Sequence, residues 1–86
     1  MIKGRLESGF EVELDDNIFD DFELVELFAK VAKNPIFIGD LAEKMLGTEQ
    51  KKALVEHLRD EKGKVRTSAM MNALSEIERA IPAVKN

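Results

Sequence analysis

Two short stretches hold the residues best placed for chemistry. Residues 18–28 read IFDDFELVELF and set Asp20 beside Asp21, while residues 60–66 read DEKGKVR. Two carboxylates side by side could share a proton, but neighbours on a helix point about 100° apart. No base lies near them in the sequence, so the pair reads as a helix start, with Asp20 or Asp21 as N-cap and the acids at the positive end of the dipole. The second stretch has a faint calcium-loop look, which fails at the ligand positions. With Asp60 first, the third and fifth places hold Lys62 and Lys64, and the twelfth holds Met71 instead of a glutamate. Lys62, Lys64 and Arg66 could touch phosphate, but Asp60 and Glu61 sit among them and no aromatic residue is there to stack a base. His57 is the only histidine. Alone it makes a poor metal site, and a partly buried or edge position is expected for it. There is no cysteine, no Gly-rich phosphate loop and no nucleophile with an evident base. The expectation is a non-catalytic protein with no cofactor and no metal.

Binding is then the class of function left to read. The chain has 86 residues and a formal net charge of −4. That length makes one domain, 1–86, which buries only about 60–70% of the surface its unfolded chain exposes. An acidic balance argues against nucleic acid, which needs a concentrated basic surface. The charge is uneven: residues 1–26 hold nine acids and two bases, and residues 27–86 hold eight acids and eleven bases. Such asymmetry can orient copies head to tail, or it can be a solvated acidic face. No apolar run approaches the roughly 18 residues of a membrane span, and the N-terminus lacks the apolar core of a signal peptide. A cytoplasmic protein without membrane contact is expected.

The elements that would position a binding surface are a hairpin and helices. Phe10-Glu11-Val12-Glu13-Leu14 alternates as a half-buried strand does, and Gly9 supplies the turn of a β-hairpin over 1–14. A helix follows from Asp20 or Asp21 to about Lys33 and stops ahead of Asn34-Pro35. Its polar stripe, Glu23, Glu26, Lys30 and Lys33, is narrow, and Glu26 and Lys30 stand in the favourable i,i+4 order. The rest of the wheel is apolar, wider than the stripe a surface helix needs. Either this helix is central in the monomer or part of its face awaits another chain. A second helix is expected over about Ile36–Leu46 and a third over about Glu49–Asp60, with Gly47-Thr48 as the corner between them. Such a corner also suits a helix-turn-helix, but Glu49 and Glu56 accompany Lys51, Lys52 and Arg59 on the helix that follows. The fourth helix starts near Thr67 and ends before Pro82. Met70, Ala73, Leu74, Ile77 and Ile81 form its apolar face, with Met71 off it and residues 82–86 as a frayed tail. The expected fold is mainly α, an α+β domain with an N-terminal hairpin and a bundle of about four short helices over 20–81.

The order of DDFELVELF, KNPIF and LGTEQKKALVEHLRDEKGKV resembles the small tail assembly chaperones of long-tailed phages and prophages of Gram-positive bacteria. The resemblance covers roughly residues 10–80 and rests on helix-forming residues. The family has a proline near position 66, where this chain has Arg66-Thr67-Ser68. The resemblance implies a protein that binds the apolar tape-measure protein during tail assembly, self-associates, is displaced by tail-tube subunits and is absent from the finished virion. Some members also exist in a longer, frameshifted form. Apolar surface framed by charge suits such a client, and Phe19, Phe22, Leu24, Leu27, Phe28 and Met71 are the expected contact residues. A DNA-associated prophage regulator and a structural domain with an internal apolar helix are the alternatives.

Overall fold

The computed structural model describes residues 1–80. An antiparallel hairpin, β1 (Ile2–Arg5) and β2 (Glu11–Leu14), precedes three α-helices, α1 (Phe22–Lys33), α2 (Ile38–Leu58) and α3 (Thr67–Ala80). The strands pair in the register Ile2↔Leu14 through Arg5↔Glu11. Gly9 closes the turn at φ 96°, a conformation other residues adopt only with strain. Val12 and Leu14 are buried while Glu11 and Glu13 face water, as the alternation demands. The outer edge of β2 is covered by the Gln50 amide. Its Oε1 accepts from the Glu13 amide at 2.7 Å and its Nε2 donates to the Glu13 carbonyl at 2.6 Å. One side chain thus supplies the donor and acceptor that a further strand would bring.

Asp21 is the N-cap of α1, its Oδ1 accepting from the amides of Glu23 (2.9 Å) and Leu24 (3.4 Å). The helix ends at Lys33, before Asn34-Pro35, and Asn34 Oδ1 accepts from the Ile36 amide at 3.1 Å. Pro35–Phe37 then forms a 3₁₀ turn, so α2 begins at Ile38 instead of the expected Ile36. The count of about four helices is also corrected. The expected second and third helices are the two halves of α2, which bends at Gly47 (φ 80°, ψ 166°). That backbone region is almost exclusive to glycine. The Thr48 hydroxyl donates to the Glu43 carboxylate beside the bend.

The core takes side chains from every element. Leu24 of α1, Leu54 of α2, and Leu74 and Ile77 of α3 are its largest fully enclosed members, joined by Leu6, Val12 and Leu14 from the hairpin. Among the described residues every buried side chain is apolar. Met70, Ala73, Leu74 and Ile77 form the buried face of α3 as read from the sequence. Ile81 and the tail 82–86 lie outside the described residues. No helix among those described is long and apolar enough to cross a membrane.

Candidate protein-binding surface

The residues with reactive groups are engaged in holding the fold. Asp21 spends one carboxylate oxygen on the cap, and its Oδ2 lies 3.3 Å from Lys44 Nζ, which also reaches Glu23 Oε1 at 3.0 Å. Desolvation pushes the Asp21 carboxyl up, but the Leu24 and Glu23 amides and the Lys44 ammonium outweigh it and hold the group below its usual range. Lys44 is raised in turn by its hydrogen bonds to Glu23 and Asp21. The cluster staples the start of α1 to α2. Asp20 lies outside it, exposed in the preceding 3₁₀ turn.

His57 stands at the edge of the domain, exposed, with its Nε2 3.0 Å from Ser8 Oγ and its ring 5.2 Å from that of Phe10. Among the described residues no carboxylate hydrogen-bonds this imidazole, so the serine–histidine pair lacks the orienting third group of a nucleophilic site. Asp60 Oδ1 accepts from the Lys62 and Lys64 amides, both at 2.9 Å, and Arg59 donates to the Gly63 carbonyl at 2.7 Å. The charged loop therefore closes on itself. Among the described residues no group of three or more His, Cys, Asp or Glu side chains could hold a metal ion. A wide hollow beside the hairpin, about 630 Å³, is walled by Lys3, Arg5, Glu11 and Glu13. Its charges already pair across the strands, Lys3 with Glu13 at 3.6 Å and Arg5 with Glu11 at 3.7 Å.

Apolar side chains stay open as well. Phe22 is 74% exposed and Val25 52% on α1, and Ile36, in the turn after it, is 76% exposed. Ala29 and Ala32 are exposed as well. Phe22, Val25, Ala29 and Ala32 follow the spacing i, i+3, i+7, i+10, which stacks them within about 80° of the helix circumference. The opposite face carries Leu24 and Val31 into the core. The breadth of the apolar arc thus divides into an inward half and an outward half.

Beside the stripe lies a cleft of about 270 Å³ between α1 and α3, lined by Phe28, Val31, Ala32, Ile38, Met71 and Leu74 among others. Ser75 and Glu78 stand at its polar side. Ala32 belongs to both features, so stripe and cleft are one continuous surface.

The six residues expected at the contact separate accordingly. Phe22 is on the open stripe. Phe28 and Met71, 43 positions apart in the sequence, meet as walls of the cleft. Leu27 and Phe19 are half-buried against the core, with Phe19 6.3 Å from the Phe28 ring. Leu24 is 0% exposed and offers nothing to a partner in this conformation, because its position on the wheel is the one α1 turns inward. Met71 is half-buried, not the exposed outlier its place off the α3 face suggests. Val25, Ala29, Ala32 and Ile36 were missing from the expected set. Their three- and four-residue spacing was the available signal. The expected Glu26–Lys30 pair is absent: Lys30 Nζ lies 5.7 Å from the centre of the Phe37 ring instead.

Comparison with known family models, with curated proteins and with solved structures gives no match to this chain.

Proposed function

We propose that the protein is a non-catalytic assembly chaperone of a long-tailed phage or prophage. It holds the tape-measure protein soluble in the bacterial cytoplasm until tail-tube subunits displace it, and it does not enter the virion. One observation supports this reading most: an 86-residue domain, whose core is apolar throughout the described residues, still leaves an apolar cleft open between α1 and α3, walled by Phe28 and Met71. Exposed apolar surface of this kind on a small domain marks a binding site for protein. The cleft suits the apolar side of a helical client, since Met71 adapts its shape to irregular partners and Ser75 and Glu78 keep the rim wet.

Co-expression with tape-measure fragments tests the reading. The wild-type chain is expected to keep a fragment soluble, and Met71→Asp in the cleft wall is expected to lose that effect, with circular dichroism of the variant checking that the domain remains folded. A fragment that precipitates equally with and without the protein refutes the proposal. Retention on DNA at low salt, weakening steeply as salt rises, would favour a nucleic-acid role instead.

A further inference from the structure

The resemblance to tail assembly chaperones leads one to expect that copies associate, but it says nothing about the face they use. The geometry points to α1: two copies pair antiparallel along Phe22, Val25, Ala29 and Ala32, with Glu26 of each opposite Lys33 of the other. The inference stands on the stripe and its flanking charges; it assigns the stripe to a second copy and leaves the Phe28 and Met71 walls of the cleft to the client.

Three observations carry it. First, the stripe is unpartnered, and its middle is small. Ala29 and Ala32 lie between Val25 and the exposed Ile36 turn, so a second helix can approach closely at its centre. Second, Glu26 and Lys33 project beside the stripe, about 40° and 20° from Phe22 on the wheel. Both are exposed, and among the described residues neither enters an ion pair. The other two charges of the helix are occupied: Glu23 by Lys44, and Lys30 over Phe37.

Third, the order of charge along α1 selects the orientation. Glu23 and Glu26 lie in its first half, Lys30 and Lys33 in its second. Parallel copies related by a two-fold axis would carry the single charged flank to opposite sides of the seam and leave Glu26 and Lys33 unpaired. Antiparallel copies crossing near Ala29 and Ala32 bring Glu26 to Lys33 twice and oppose the helix dipoles favourably. They also carry Phe22 to the end of the second copy, where that copy's Ile36 turn stands. The face is self-complementary, as a two-fold contact requires.

α1 is about 18 Å long at 1.5 Å per residue. Such a seam falls below the roughly 1,200 Å² of a standard interface. Interfaces at the low end of size are weak or transient, so the dimer is expected to form only at elevated concentration. The seam covers Ala32, which also lines the cleft, and leaves the Phe28 and Met71 walls outside the paired residues.

Sedimentation across micromolar to millimolar concentration tests the seam. The wild-type chain should dimerise, and Val25→Asp should abolish association. Glu26→Lys should weaken it at least tenfold, and so should Lys33→Glu. The double exchange Glu26→Lys with Lys33→Glu should return Kd to within about threefold of wild type, a recovery that loss of folding cannot mimic. A wild-type chain that stays monomeric throughout overturns the inference. So does a dimer indifferent to Val25→Asp, or a double exchange that does not recover. A monomer that still keeps a tape-measure fragment soluble would sink the seam and leave the proposed function standing. A charge-rescued dimer with no effect on the fragment would do the reverse.

Discussion

In the hairpin, Val12 and Leu14 go wholly into the core, and even the free edge of β2 is answered by the Gln50 amide. In α1, Leu24 and Val31 go in, while Phe22 and Val25 on the same helix stay in water. Both elements are amphipathic, and both pack on α2. The difference lies in how much apolar surface each has relative to what covers it. A strand of alternating residues has one apolar face and needs one neighbour. An α-helix apolar over more than half its circumference needs two, and α1 receives α2 on one side and an open cleft toward α3 on the other. Apolar content therefore does not predict burial residue by residue; the number of neighbours does.

The largest expected effect separates the two sides of α1. Leu24→Ala removes a fully enclosed side chain and should cost about 2–5 kcal/mol of stability. Phe22→Ala deletes a larger side chain from an exposed position and should change stability by less than about 0.5 kcal/mol. Urea denaturation of both variants measures the contrast. Equal losses would mean that α1 is covered on both faces in solution.

That contrast also marks where sequence reasoning stops. The hairpin, a cap at Asp20 or Asp21, the stop before Asn34-Pro35 and the buried face of α3 were all legible, because each is set by neighbours a few residues away. The Gly47 bend was legible for the same reason, although the two helical stretches around it form one interrupted element. Which half of α1 turns inward was not legible, since it depends on where α2 and α3 lie in space. Leu24 and Phe22 are equally apolar in a wheel diagram, and only tertiary packing distinguishes them. The same holds for the cleft, which joins Phe28 and Met71, 43 positions apart in the sequence.

The next effect tests the link between the two regions. Gly47 lets one half of α2 supply Leu41, Met45 and Leu46 to the core while the other half carries Gln50 to the hairpin. A Cβ at Gly47 would meet nothing within 4 Å. The cost of Gly47→Ala is therefore that of the backbone conformation alone, about 1–3 kcal/mol. Thermal unfolding should show the loss. An unchanged midpoint would mean that the bend relaxes into a straight helix, and the Gln50–Glu13 bonds should then be missing.

A smaller effect sharpens the hairpin side. Gln50→Ala leaves the Glu13 amide and carbonyl without their partner and should cost about 1 kcal/mol. Both groups are near water, which limits the loss. The Glu13 amide should also exchange its hydrogen faster, because its hydrogen bond at the outer edge of the sheet is to Gln50. Unaltered exchange at Glu13 would show that Gln50 does not close this edge in solution.

The smallest effect concerns the start of α1. Asp21→Asn keeps a capping oxygen but removes the charge that meets Lys44. Because the folded-state pKa of Asp21 is depressed below the ordinary 3.8 of an aspartate, its electrostatic contribution is complete above that value and disappears as pH falls through the lower folded pKa. Lys44, raised above 10.5, behaves oppositely and loses its contribution only as pH climbs through its folded pKa. Between these limits the staple is fully charged, and Asp21→Asn should lower the thermal midpoint slightly. As pH drops below about 4, the wild-type chain should lose stability more steeply than the variant, until the two curves meet. The staple joins α1 to α2 on the side away from the exposed stripe, so dimerisation through α1 should be insensitive to this substitution. A change in dimer affinity with Asp21→Asn would mean that the inner and outer faces of α1 are coupled, and that the open stripe is held in place by the same contacts that bury Leu24.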